Sequence, residues 1–96
     1  MGYQAGRLVW IPCEVKPGPF PDERIVRIRS EHDEWVGFVS VDALRTPVVE
    51  GHTFVRAVIM QVEGSRFNAK VAGEPVTSSL FEGTLSRVEP IAAVQA

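Results

Sequence analysis

The chain is expected to fold as an all-β domain, a small barrel with an additional C-terminal β-hairpin region. Three observations predict this. Short runs of β-branched and aromatic residues recur between Pro, Gly and acidic turn signals, such as Arg7–Pro12, Arg24–Arg29, Trp35–Val39, Val55–Val62 and Arg66–Val71. Two of these runs alternate strictly: Trp35, Gly37 and Val39 oppose Val36 and Phe38, and Phe67, Ala69 and Val71 oppose Arg66, Asn68 and Lys70. Helical periodicity is confined to VDALR at Val41–Arg45, about one turn and too short to stand without packing.

Taken in order, Arg7–Pro12 is an apolar strand closed by Pro12. Lys16–Asp22 carries three prolines around Phe20, whose fixed φ angles and missing donors make an extended loop. Arg24–Arg29 and the strand opening at Trp35 form a hairpin whose tip is the acidic Glu31–Glu34 segment. Ser40 and Asp42 suit a cap, and Leu44 folds back as a plug. After a break at Thr46–Pro47, Val55–Val62 and Arg66–Val71 pair through the Glu63–Gly64–Ser65 turn. Arg56 and Gln61 sit on opposite faces of an unbroken strand, which calls for a bulge between them. Val76–Phe81 and Thr84–Val88 are expected as a final hairpin about Glu82–Gly83. The expected organisation is one domain over residues 1–96, with a first portion at 7–45, additional strands at 53–90 and a tail at 91–96.

Composition bounds the function. At 96 residues, 45% hydrophobic and 23% charged, the chain can bury a core without staples. A net charge of −2 and a pI near 5.6 disfavour a protein built to grip phosphate backbones. The single cysteine, Cys13, excludes an internal disulfide and suits a reducing compartment. With no secretory leader pattern at the start and no apolar run of membrane length, the expected location is cytoplasmic, without membrane partners.

Gly37-Phe38-Val39-Ser40, followed by Leu44, resembles the closing corner of bacterial SH3-like domains. There a glycine–aromatic–valine step precedes a single 3₁₀ turn and a closing apolar residue. The resemblance covers about ten residues directly, with Arg7–Arg45 following by strand pattern. It implies an SH3-like barrel. It does not extend to the proline-peptide site of eukaryotic SH3 domains: no Ala-Leu-Tyr-Asp-Tyr-like segment lies near Trp10, and Leu44 stands where the ligand-binding tyrosine would be. The stretch Val49–Val71 is in turn similar to the opening strands of an S1-type oligonucleotide-binding barrel.

No catalytic constellation is present. Cys13, His32 and His52 lack metal-ligand spacing, Ser40, Ser78 and Ser79 lack a nucleophile-elbow context, and no glycine-rich phosphate loop occurs. The reading is a non-enzyme with no cofactor and no metal. The aromatic residues are the remaining handle. Phe20, fixed between Pro19 and Pro21, and Trp35, beside Glu31, Asp33 and Glu34, are expected to form an aromatic and acidic surface for a protein segment carrying Lys or Arg. The alternative is a single-stranded nucleic-acid site using Arg27, Arg29, Arg56, Arg66 and Lys70 with Phe67 for stacking. A third is a homodimer formed through an exposed edge at Val55–Val62.

Overall fold

A computed structural model describes residues 2–91. The chain forms an all-β, curled antiparallel sheet, a half-barrel consistent with a small barrel. The long strands are β1 (Leu8–Pro17), β2 (Glu23–Arg29), β3 (Glu34–Ser40), β4 (His52–Glu63) and β5 (Arg66–Val71). Shorter ones are β6 (Glu74–Pro75), β7 (Phe81–Thr84) and β8 (Glu89–Pro90). The order across the sheet is β6-β3-β2-β1-β4-β5-β7, with β8 added to β1.

The period-2 pattern places the core. Trp35, Gly37 and Val39 point inward with Val9, Ile11, Val26 and Ile28, and from the other half come Val55, Ala57, Ile59, Phe67, Ala69 and Val71. The β3 corner forms as its residues predict. Ser40 Oγ accepts the Asp42 amide at 3.3 Å, the 3₁₀ turn spans Val41–Ala43, and Leu44 is buried and bridges to Val55. The expected bulge lies between Ile59 and Gln61, and it returns Gln61 to the outward face that carries Arg56.

Three elements differ from expectation. First, β1 does not stop at Pro12 but runs to Pro17. The Val15 amide donates towards β4, to Gly51 O at 2.7 Å, so even-numbered residues of β1 present their backbone to the opposite edge. On that edge β8 pairs at Val9 and Trp10, and β2 only from Glu14 onwards. The donor that Pro12 lacks therefore falls in the gap between β8 and β2, where no strand needs it.

Second, Glu82–Gly83 is not a turn. It lies inside β7, which pairs with β5 from Arg66↔Thr84 to Ala69↔Phe81. Phe81 and Gly83 alternate inward, and the Phe67 and Phe81 rings meet edge-on at 6.2 Å. A Cβ on Gly83 would stand 2.8 Å from the Phe81 ring. Third, Val55–Val62 is not an exposed edge. β4 lies between β1 and β5, so most of the segment named for dimerisation has neighbours on both sides.

The outer β7 edge is held by side chains rather than by a strand. Glu82 N–H donates to Asp33 Oδ2 at 2.9 Å, and Ser30 Oγ–H donates to Glu82 O at 2.8 Å. The β2–β3 tip thus latches onto β7. Among the described residues no helix is long and apolar enough to cross a membrane.

Candidate functional site

The aromatic and acidic surface expected from the sequence is not assembled. Trp35 is 0% exposed, because the same alternation that sets it beside Gly37 and Val39 turns all three inward. Phe20 is 63% exposed, but it sits in the β1–β2 loop, at the opposite end of β2 from the acidic tip. Asp33 is occupied by the latch and by the Glu34 amide, which donates to Oδ1 at 2.8 Å. Glu34 lies 3.4 Å from Arg27 Nε and 3.3 Å from Arg29 Nε. Of the acidic tip, only Glu31 is exposed and outside any ion pair among the described residues.

The alternative basic set is also redistributed. Phe67 is 3% exposed in the core, so its ring cannot stack on a base. Arg66 pairs with Glu82 at 2.9 Å, and Arg29 also reaches Glu14 at 3.9 Å. Arg56 and Lys70 remain outside ion pairs among the described residues, on the outward face of β4 and β5.

That outward face carries what the sequence reading missed. Along the β1–β4 pairing the outward partners are Leu8 with Val58, Trp10 with Arg56, Pro12 with Phe54 and, at the far end, Glu14 with His52. Over the first three of these pairs all but Arg56 are apolar, whereas the solvent face of an antiparallel sheet is ordinarily polar. Leu8 is 45% exposed, and Trp10, Phe54 and Val58 are half-buried. At one end Arg45 packs 3.8 Å over the Phe54 ring and 5.9 Å from Trp10, and its Nη1 binds Glu89 at 2.8 Å. That hydrogen bond holds the Glu89 carboxyl below its ordinary value. At the other end a groove of about 210 Å³ opens between Leu8, Arg56, Val58, Lys70, Ala72 and Gly73. No single-sequence signal marks this face, because it exists only once β1 and β4 are in register.

Cys13 is buried, and burial pushes its thiol up to about 12, with Glu14 adding to the rise and a hydrogen bond to the Thr53 backbone opposing it. The neutral thiol is the native form. Its contribution to stability is complete below the ordinary thiol value near 9 and is lost as pH rises towards 12. We expect Cys13 to resist a disulfide reagent at pH 8 in the folded protein and to react at once in denaturant. Equal rates in the two states would contradict the burial. Among the described residues, no three His, Cys, Asp or Glu side chains gather as a metal-ligand set.

Compared with protein-family models, with curated proteins and with solved structures, the chain matches none of them.

Proposed function

We propose that this chain is a non-catalytic binding module, an SH3-like barrel by the resemblance of its β3 corner, that recognises a protein segment on the outer face of β1, β4 and β5. The observation that carries this reading is the apolar stripe of Leu8, Trp10 and Val58 on the solvent side of a sheet, bordered by Arg56 and Lys70, cations outside any ion pair among the described residues. The charge of that border selects the partner. A segment carrying apolar and acidic side chains on one face sets the former against Leu8 and Val58 and the latter against Arg56 and Lys70. This reverses the sign of the partner expected from the acidic tip, because Asp33 and Glu34 are already engaged.

Amide spectra of the labelled protein, titrated with an eight-residue peptide that repeats Leu-Leu-Glu-Glu and so shows both residue types on each face when extended, test the reading. The expected result is shifts at Leu8, Val58, Lys70 and the Trp10 indole. Affinity should fall at least tenfold in the Arg56→Glu, Lys70→Glu double variant, about the effect of losing 1.4 kcal/mol. No shift at millimolar peptide, or equal binding of the same peptide with Lys in place of Glu, overturns it.

A further inference from the structure

We infer that the gap between β8 and β2 is a binding site for a small apolar α-amino acid. It includes none of Leu8, Trp10 and Val58 and stands independently of the function proposed for that stripe. Where β2 parts from β1, a pocket of about 80 Å³ enters the barrel. Its walls include the buried apolar side chains of Ile11, Ile28, Phe67, Phe81 and Val88. Its rim has a different chemistry: Arg29, Glu31 and Arg87, with the hydroxyl residues Ser30, Thr84 and Ser86. An apolar recess under a few convergent polar groups is the general form of a small-molecule site.

The rim carries both signs of charge within one small opening. Arg87 and Glu31 belong to no ion pair among the described residues. Arg29 is held by Glu34 and Glu14 but keeps further guanidinium donors. Cation and carboxylate on one rim suit a zwitterion, whose carboxylate meets the guanidinium groups and whose ammonium meets Glu31. A polyanion is disfavoured, because Glu31 stands on the rim and Glu14 lines the adjoining cleft.

Size fixes the side chain. The recess has about half the volume of the ~150 Å³ cavity that holds benzene, which leaves room for a short aliphatic chain and excludes an aromatic ring. Access comes from an adjoining open cleft of about 360 Å³ that shares Pro12, Arg29 and Arg87 with the pocket and extends to Arg27, His52 and Phe54. Pro12 lines both the pocket and this cleft, and on that edge it offers a neighbouring strand a carbonyl acceptor but no N–H donor.

The test is an amide-shift titration with L-norvaline, glycine and pentanoate. Norvaline is expected to shift Ile28, Ser30, Phe81 and Arg87. Glycine should bind at least tenfold more weakly, since each buried methylene is worth about fourfold. Pentanoate, which lacks the ammonium group, should also lose at least tenfold. Arg87→Ala and Glu31→Gln, both at exposed positions, should each weaken norvaline at least tenfold while leaving the spectrum folded. Equal binding of glycine and norvaline, equal binding of pentanoate, or shifts outside this pocket would each overturn the assignment.

Discussion

Replacing Trp35 with Ala is expected to destabilise the domain by about 3–5 kcal/mol, the range for deleting a large buried aromatic. Trp35 is the largest of the fully buried side chains, and it lies over the backbone of Gly37 two residues along the same face. Against a total stability of roughly 5–15 kcal/mol for a domain of this size, the loss leaves a marginal fold. Urea unfolding followed by circular dichroism measures it, and a change below about 1 kcal/mol would mean that the core does not depend on this ring. Two companion variants locate the cause. Trp35→Phe should cost less than half as much, because it keeps a ring and removes an indole N–H that is buried without an acceptor among the described residues. Gly37→Ala should cost about 1–3 kcal/mol by overpacking, since the new Cβ would stand 2.5 Å from the Glu74 carbonyl oxygen and would strike the Trp35 ring. The carbonyl belongs to the β3–β6 pairing and cannot swing aside as a side chain can.

This pair also shows what the sequence reveals and where reading stops. Alternation puts Trp35, Gly37 and Val39 on one face, the acidic tip marks the β2–β3 hairpin, and cap chemistry predicts the Ser40 cap and the Leu44 plug, all of them local features. The same alternation implies that Trp35 and Phe67 face the core, so choosing them as contact residues set side-chain chemistry above strand parity. The course of β1 past Pro12 was not legible: whether a missing donor breaks a strand depends on which edge it faces, and only the registers with β8 and β2 decide that. The outer face arises in the same way. Leu8 and Val58 become neighbours through pairing across fifty positions of chain, and no local pattern records it. Arg87 joins Arg29 at the gap only because Glu82–Gly83 continues as strand and delivers the second 3₁₀ turn, Leu85–Arg87, to that opening. Gly83 reads as a turn in one dimension and as space for two phenylalanine rings in three.

The latch between the β2–β3 tip and β7 should act locally before it acts globally. Asp33 accepts from the Glu34 and Glu82 amides with its two carboxylate oxygens, and Ser30 donates to the Glu82 carbonyl from the same tip. Hydrogen bonds to a charged acceptor contribute about 1.5–3 kcal/mol each where water is excluded. Asp33 is half-buried, so the expected cost of Asp33→Ala is lower, about 1–2 kcal/mol overall. The sharper readout is amide exchange. In the parent protein the Glu82 amide is bonded to Asp33, although no strand covers that edge of β7. In Asp33→Ala its protection should fall to that of a local opening, while core amides such as Ile59 and Val55 lose only the global increment. Asp33→Asn, which retains one acceptor oxygen, should preserve part of the protection. Ser30→Ala should weaken the same contact, and its effect combined with Asp33→Ala should be less than the sum, because the two side chains serve one backbone unit. The freed β7 edge also becomes open to pairing with another chain, so concentration-dependent light scattering should appear in the double variant and be absent from the parent. Unchanged exchange at Glu82 in Asp33→Ala would show that β7 is held by its pairing with β5 alone.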